Sequence, residues 1–294
     1  GRGRTPDQVQ NALGSGIIVT SDGYILTNNH VVDGADEVKV AFGEPRREFK
    51  ATVVGRDSKA DVAVIKIDAT GLPAAKLGDS DQLEIGDVVL AIGNPFGVGQ
   101  SVSRGIVSAL GRGGQGIETY EDFIQTDAAI NPGNSGGALV DMNGRLIGVN
   151  SMILSGAGQS SGVGFAIPAP LVKRVIETAV GGADHLTHVW LGVKGDTVSD
   201  DIARSLGMDR PEGVLVSDVY AGGPADRAGL RTGDVILALN GQALNDAASL
   251  NYQINLLSPG DSVAIKAVRG GKPLNLTIRA EAPSANPPKD ERLP

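Results

Sequence analysis

Short apolar runs separated by turn-forming residues fill the chain from Gly14 to about Ile167. Examples are GSGIIVT, EVKVAF, DVAVIKI and GRLIGVNSMIL, and the residues between such runs include Gly, Asp-Gly and Asn-Gly. Runs of this length with this punctuation are typical of strands joined by tight turns. The pattern therefore predicts an antiparallel β-barrel or sandwich over this part of the chain.

The second half of the chain follows a different pattern. The segment PAPLVKRVIETAV opens with prolines and has helical periodicity, which predicts a closing helix or connector before the linker GGADHLTH. Beyond the linker, five strand-like runs alternate with two helices, for which Ser199 and Asn245 are the predicted caps. The tail PSANPPKDERLP is rich in proline and charge and is predicted to be disordered.

Composition narrows the class of protein. A length of 294 residues suggests two domains, and a net charge of −8 argues against nucleic acid or an anionic membrane as the main partner. The absence of cysteine excludes a disulfide framework, a thiol nucleophile and a thiolate metal site, and it leaves the redox compartment open. No membrane-spanning run or signal segment is present, and GRGRTP lacks a starting Met, so we expect a processed or trimmed chain that has lost any export signal.

The heptad NPGNSGG, residues 131–137, places one serine among turn-forming residues. An ordinary turn explains the heptad, and so does a turn that carries a serine nucleophile, and the choice depends on whether a base is available. His30 is the candidate base, because His185 and His188 both fall in the predicted linker. Asp61 precedes a wholly apolar run, where an ionised group needs a partner, and the order His30, Asp61, Ser135 is that of chymotrypsin-type barrels.

The glycines of the heptad give a second reason for the catalytic interpretation. Glycine permits backbone conformations in which the N–H groups of Gly133 and Ser135 point to one spot. An oxyanion would develop at that spot during acyl transfer. The turn would then supply both the nucleophile and the oxyanion hole.

Several motifs in register resemble the HtrA (Deg) family of serine proteases. They are LTNNHVV, DVAVIKI, IGNPFG, SRGIVSALGR, FIQTDAAINPGNSGGALV and GFAIP, and the region from Trp190 to Glu281 resembles that family's PDZ domain. The resemblance implies a mainly β fold with a chymotrypsin-like double β-barrel followed by an α+β PDZ domain. The implied division is a trypsin-like serine protease domain at 1–182, a linker at 183–188, a PDZ domain at 189–282 and a disordered tail at 283–294.

The resemblance also implies roles for single residues in the protease domain. His30 is the general base and acid, Asp61 the orienting carboxylate and Ser135 the nucleophile, with no metal or cofactor, and Asn134 adds a third amide to the oxyanion hole. The implied S1 pocket is small and apolar, with Ile130, Ile153 and Leu154 at the matching positions, and ordinary core packing is the less favoured alternative for each. It would favour cleavage after residues such as Val and Ala in unfolded or damaged proteins.

Arg112 matches the arginine of the regulatory loop, and a solvated loop arginine is the alternative.

In the PDZ region, WLGV matches the carboxylate-binding loop. The amides of Leu191, Gly192 and Val193, next to Trp190, would bind the C-terminus of an apolar peptide as an anion. The peptide would add a strand beside the helix NDAASLNYQINLL. Leu250 and Ile254 on that helix could line the groove or face the core, and we favour the core.

Two departures and one rival accompany the resemblance. No aromatic residue precedes Tyr24, so a homotrimer would lack the family's aromatic trimer contact, and a single PDZ domain fits either a one-PDZ member or a chain cut before a second. The rival is a holdase or scaffold that binds unfolded C-termini without cleaving them. A PDZ adaptor with a decayed barrel is disfavoured because all three triad residues are present. By resemblance the protein is periplasmic and acts in protein quality control.

Overall fold

The computed structural model describes residues 13–94, 99–112, 123–153, 162–183 and 186–283; of Arg112, Met152 and Ile153 it describes the backbone only. The chain divides into two units. The described part of the first unit is 13–94, 99–108, 124–153 and 162–183, and that of the second is 109–112, 123 and 186–283. Among the described residues, no helix is long and apolar enough to span a membrane.

Among the described residues up to 183, the chain forms twelve strands, two α-helices and a 3-10 helix at Ser80–Gln82. The strands and α-helices are β1 (Ile17–Ile18), β2 (Tyr24–Thr27), α1 (Asn29–Val32), β3 (Val38–Phe42), β4 (Arg47–Asp57), β5 (Val62–Ile67), β6 (Lys76–Leu77), β7 (Val88–Gly93), β8 (Ser101–Arg112), β9 (Phe123–Thr126), β10 (Ala138–Asp141), β11 (Arg145–Ile153), β12 (Gly164–Pro168) and α2 (Ala169–Val180). The predicted series of short strands ending in a helix is confirmed.

These strands form two sheets. The first has the order β1-β2-β5-β4-β3, and every neighbouring pair in it is antiparallel. The second has the order β10-β7-β8-β9-β12-β11, and an additional pairing between β10 and β11 closes it into a barrel, with β6 attached outside at β11. Closure satisfies the edge groups that an open sheet would expose.

Each sheet encloses its own apolar core. Ile25, Ile65 and Ile67 belong to the first core, and Leu139 and Ile147 belong to the core of the closed barrel. Helix α2 begins after Pro168 and packs against β4, β5 and β11. Gly55 on β4 allows this approach, since a Cβ there would lie 2.6 Å from the Cβ of Ala179.

The second unit is an α+β fold around a single sheet. Its elements are β13 (Val193–Thr197), α3 (Asp200–Ser205), β14 (Val214–Val219), α4 (Pro224–Arg227), β15 (Val235–Leu239), β16 (Gln242–Ala243), α5 (Ala247–Asn255), β17 (Ser262–Arg269) and β18 (Lys272–Arg279). The sheet order is β13-β14-β15-β17-β18, with β16 paired to β15. Strand β13 therefore lies at an edge of the sheet.

The helix caps of this unit test two sequence predictions. Ser199 caps α3, because its side chain accepts a hydrogen bond from the Ile202 N–H, as predicted. The predicted cap Asn245 is wrong by one residue. The Asp246 side chain accepts from the Ser249 N–H, and the Ser249 side chain accepts from the Asp246 N–H. This reciprocal pair of hydrogen bonds makes Asp246, and not its neighbour Asn245, the cap of α5.

A buried ion pair fixes the loop before β15. Asp234 is 1% exposed and binds Arg269 through both carboxylate oxygens, at 2.6 and 2.7 Å. The same carboxylate accepts from the Arg231 N–H, and Arg269 also donates to Gly229 O. These hydrogen bonds to Asp234 raise the pKa of Arg269 above its ordinary value.

Truncation of the barrel core should destabilise the first unit. Leu139 is fully buried among the apolar residues of β7, β9 and β11, so Leu139→Ala leaves a cavity and should cost about 2–5 kcal/mol. Met142, three residues further on, is 64% exposed, and Met142→Ala should change stability by less than about 0.5 kcal/mol. Chemical denaturation of both variants measures the difference, and equal effects would contradict the assigned core.

Candidate active site

His30 and Asp61 are in direct contact. Helix α1 carries His30, and Asp61 immediately precedes β5. The Nδ1 atom of His30 lies 2.7 Å from Oδ2 of Asp61, and the backbone N–H of His30 donates to Oδ1 at 2.9 Å. A carboxylate oxygen only accepts hydrogen bonds, so this contact assigns the ring proton to Nδ1 and the lone pair to Nε2. That tautomer is the one a general base needs.

The carboxylate of Asp61 is buried and held from several directions. Its residue is 2% exposed, and its backbone is left-handed, with φ +51°. The hydroxyl of Ser151 donates to Oδ2 at 3.0 Å, so Oδ2 is shared between Ser151 and His30. The backbone oxygen of Asp61 accepts from the Asn28 side chain at 2.8 Å and from the Asn29 N–H at 3.1 Å. These bonds tie the aspartate to the segment that carries the histidine.

Ser151 is a site residue that the sequence analysis missed. It lies on β11, is 1% exposed, and follows Asn150, which is fully buried. The available signal was this pair of polar residues inside the apolar run GRLIGVNSMIL. Buried polar side chains need hydrogen-bond partners, so such a pair indicates a structured polar site.

Ser135 lies in the turn between β9 and β10 and is half-buried. Its hydroxyl donates to the backbone oxygen of Ser151 at 2.8 Å. The single hydroxyl proton is therefore directed to Ser151 and not to His30 in this conformation. The structure thus joins His30 and Asp61 directly, and it links Ser135 to them through Ser151. The His30 side chain is 50% exposed, so the site is open to solvent.

Glycines shape the serine turn, as predicted from the heptad. Gly133 has φ +98° and Gly136 has φ +82°, both in the left-handed region that side chains rarely adopt. Within the described part of the chain, the N–H groups of Gly133 and Ser135 have no acceptor. The N–H of Asn134 donates to Asn131 O at 2.9 Å. The expected set of three amides is therefore corrected to two, because the turn itself uses the third.

The residues predicted for the S1 pocket and the regulatory loop have three different outcomes. Ile130 is 1% exposed and belongs to the core of the closed barrel, so it presents no surface to a ligand in this conformation. Ile153 ends β11 and Arg112 ends β8, but their side chains lie outside the described residues, as does all of Leu154. The pocket and the loop stay predictions.

The loop before β13 presents a second pair of amides. Gly192 is left-handed at φ +72°, and its carbonyl accepts from the Tyr220 N–H at 3.0 Å. The carbonyl of Leu191 accepts from the Ala225 N–H at 2.9 Å, whereas the N–H groups of Leu191 and Gly192 have no acceptor among the described residues. Trp190 packs edge-on against Tyr220, with 5.0 Å between ring centroids. The loop is therefore anchored by its carbonyls and leaves two donors for a ligand.

The remaining residues predicted for peptide binding differ in exposure. Val193 begins the edge strand β13, where a peptide could add a strand. Leu250 on α5 is 3% exposed and belongs to the core of the unit, as favoured from the sequence. Ile254, one turn later, is half-buried and packs against that core. A groove role for Leu250 receives no support from its burial.

Fold and site together define the class of the protein as a trypsin-like peptidase domain followed by a PDZ domain. Residues 14–149 match the family described as "Trypsin-like peptidase domain", and residues 189–279 match the family described as "PDZ domain". The solved structure "HtrA-type protease AlgW with tripeptide" superposes with a TM-score of 0.75 at 48% identity, covering 95% of this chain and 91% of that one. The chain belongs to the HtrA family of serine proteases.

Curated relatives agree with this assignment. A protein named "Probable periplasmic serine endoprotease DegP-like" from Pseudomonas savastanoi pv. phaseolicola is 47% identical over 282 residues, which are 96% of this chain and 58% of that protein. "Periplasmic serine endoprotease DegP" from Escherichia coli K12 is 44% identical over 288 residues, 97% of this chain and 60% of that protein. The chain thus spans about three fifths of the length of these two relatives.

A methyl group at Gly136 should disturb the serine turn. A Cβ at Gly136 would lie 2.3 Å from Ser15 O and 2.4 Å from Oγ1 of Thr27. Gly136→Ala should therefore lower the free energy of unfolding by about 1–3 kcal/mol beyond the cost of placing alanine at a left-handed backbone. Gly144→Ala is the matched control, because Gly144 has φ +71° and open space around it. Thermal unfolding of both variants provides the comparison. Equal midpoints would show that the turn tolerates the methyl group.

Proposed function

We propose that this chain is a serine endopeptidase in which Ser135 is the nucleophile, His30 the general base and acid, and Asp61 the carboxylate that orients the imidazole. The observation that carries the proposal is the buried carboxylate of Asp61 at 2.7 Å from Nδ1 of His30. That contact assigns the ring proton to Nδ1, which is the tautomer in which Nε2 can act as the general base. The two amides of Gly133 and Ser135 that have no acceptor among the described residues add an oxyanion hole.

Acylation begins when the Ser135 hydroxyl leaves Ser151 O and turns toward His30. As Oγ bonds to the scissile carbonyl carbon, its proton passes to Nε2 of His30, and the carbonyl electron pair moves onto oxygen. The N–H groups of Gly133 and Ser135 stabilise that oxyanion, and Asp61 stabilises the imidazolium. When the tetrahedral intermediate collapses, the C–N bond breaks and His30 gives its proton to the leaving amine.

Deacylation repeats these steps with water. His30 takes a proton from water, whose oxygen attacks the acyl carbon, and the proton then returns to Oγ of Ser135 as the ester bond breaks. The products are a new C-terminal carboxylate and the free serine. Every proton moves between the substrate, water and side chains of this chain.

The substrates we propose are unfolded or damaged proteins, cut after small apolar residues. This specificity rests on the family match of Ile153 and Leu154, because Ile130 is buried in the barrel core in this conformation. Apolar residues such as Val are buried in folded proteins, so a small apolar S1 pocket would select chains that have lost their fold. The compartment we propose is the periplasm, because the curated relatives are named periplasmic endoproteases, and the role is protein quality control.

We further propose that the PDZ domain binds peptides through their C-terminal carboxylate. The N–H groups of Leu191 and Gly192 supply donors for that anion, and β13 offers an edge for an added strand. Solved HtrA-type structures of AlgW are described as containing a tripeptide and a decapeptide. By the family match, Arg112 in the regulatory loop transmits peptide binding to the serine turn, which shifts the turn toward its active form.

Removal of the serine hydroxyl should abolish cleavage. Ser135→Ala removes the nucleophile and should lower the rate of casein hydrolysis by at least about 10⁴-fold. Ser205→Ala is the control, because its exposed hydroxyl only donates to Ile202 O within α3. Cleavage fragments resolved by mass spectrometry measure the rate and report the residue before each cut.

The outcomes separate protease from holdase. Cleavage that survives Ser135→Ala would reject this nucleophile. A wild-type chain that prevents aggregation of unfolded casein without cutting it would favour the holdase, for which the direction of the Ser135 hydroxyl toward Ser151 gives a physical basis.

Distortion of the carboxylate loop should weaken peptide binding. Gly192 has a left-handed backbone, and a Cβ there would lie 3.3 Å from the Trp190 ring. Gly192→Ala should therefore raise the dissociation constant of an apolar peptide about tenfold, which is a loss of about 1.4 kcal/mol in binding free energy. Gly207→Ala is the control, with φ +68° and open space. Calorimetry with the free-acid and the C-terminally amidated peptide measures both effects. Equal binding of the two peptides would contradict carboxylate recognition.

A further inference from the structure

We propose that Ser15 is a positioning residue that holds the serine turn in the conformation of an open oxyanion hole. The inference rests on the proposed function, and it assigns a role to a residue that none of the site motifs includes. Ser15 lies just before β1, more than one hundred residues from the turn in sequence. Its side chain and backbone nevertheless contact both residues that supply the hole.

All of the polar groups of Ser15 are engaged. Its hydroxyl donates to Gly133 O at 2.7 Å and accepts from the Asn94 N–H at 2.8 Å. Its backbone N–H donates to Ser135 O at 2.8 Å, and its backbone oxygen accepts from the Thr27 hydroxyl at 2.8 Å. Thr27 is 2% exposed, so the anchor of this chain of hydrogen bonds is buried.

The hydroxyl has a defined direction. Because the Asn94 N–H donates to Oγ, the hydroxyl proton of Ser15 is directed to Gly133 O at 2.7 Å. An apolar side chain at this position would leave both the Asn94 N–H and Gly133 O without this partner. The bond is therefore specific for a hydroxyl.

The bond from Ser15 restrains the peptide unit that follows Gly133. Its carbonyl is held by Ser15, and its N–H, on Asn134, is held by Asn131 O at 2.9 Å. Gly133 has φ +98° and no side chain, so sterics alone would not keep its neighbouring peptide planes in place. With this plane fixed at both edges, the Gly133 N–H, which belongs to the preceding peptide unit, can change direction only through the two backbone torsions of Gly133 itself. The bond from the Ser15 N–H to Ser135 O restrains the other side of the nucleophile.

Glycines allow Ser15 to come this close. A Cβ at Gly14 would lie 2.6 Å from Cγ1 of Val31 and 3.3 Å from Ser135 O, and a Cβ at Gly136 would lie 2.3 Å from Ser15 O. The segment that carries Ser15 therefore fits against both α1, which holds His30, and the serine turn. Both glycines of the run GSG have a structural reason, since a Cβ at Gly16 would lie 2.9 Å from Cγ2 of Ile25.

The test uses two variants of equal size. Ser15→Thr keeps the hydroxyl, and Ser15→Val replaces it with a methyl group of the same shape, so any cost of the added carbon is common to both. We measure kcat and KM for casein-derived peptide cleavage, the inhibition constant of a peptide boronic acid, and the thermal midpoint. A boronate bound to serine places an oxygen in the oxyanion hole, so its affinity reports on the hole directly.

The expected result is a loss in kcat that follows the hydroxyl. Loss of one oxyanion donor typically costs on the order of 10²–10³ in rate, and a misdirected donor should cost about 10–100-fold. Ser15→Val should show that fall in kcat with KM within about twofold of wild type, and its boronate affinity should fall in the same proportion. Ser15→Thr should recover at least about tenfold of the loss.

Three results are decisive. Equal kcat and equal boronate affinity for the Thr and Val variants would overturn the proposal. So would a loss confined to the thermal midpoint, because that would make Ser15 a structural residue only. Failure of the proposed function is distinct, since wild type itself would then cleave no casein and bind no boronate. Ser205→Ala should match wild type in every measurement.

Discussion

The site depends on the buried carboxylate of Asp61. Its two oxygens accept from the side chain and backbone of His30 and from the hydroxyl of Ser151, and its backbone oxygen accepts from Asn28 and Asn29. A charge buried to this extent is costly unless it is fully hydrogen-bonded. The carboxylate of Asp61 therefore holds α1, through His30, and β11 of the closed barrel, through Ser151. The position of His30 follows from that constraint.

Two loops of the molecule use one physical device. In the serine turn and in the loop before β13, a left-handed glycine and a set of anchored carbonyls leave two N–H groups without acceptors among the described residues. Such amides favour a negative group that arrives from outside. In the proposed function, the anion is a transient oxyanion in one loop and the carboxylate of a peptide in the other. The abundance of glycine in the chain has a functional reason at these two places.

Much of the fold could be predicted from local pattern, because short apolar runs with Gly, Asp-Gly and Asn-Gly between them specify strands and turns. His30 and Asp61 were found because histidine is scarce in this chain and because a charged residue before an apolar strand needs a partner. Ser15 and Ser151 were missed because their partners lie far away in sequence. A serine in an apolar run has the same appearance whether it caps a turn or orients a catalytic group. The Asn134 amide was misassigned for a related reason, since only the conformation of the turn shows which of its N–H groups the turn itself consumes.

The most direct test of this account is the position of a covalent adduct after treatment of the protein with a fluorophosphonate, mapped by tandem mass spectrometry in wild type and in Asp61→Asn. The account predicts a single phosphonyl group on Oγ of Ser135. The Asn side chain cannot hold His30 in the same tautomer as a carboxylate, so labelling of the variant should be slower by on the order of 10⁴. An adduct on another residue, or labelling at the same rate in both proteins, would contradict it.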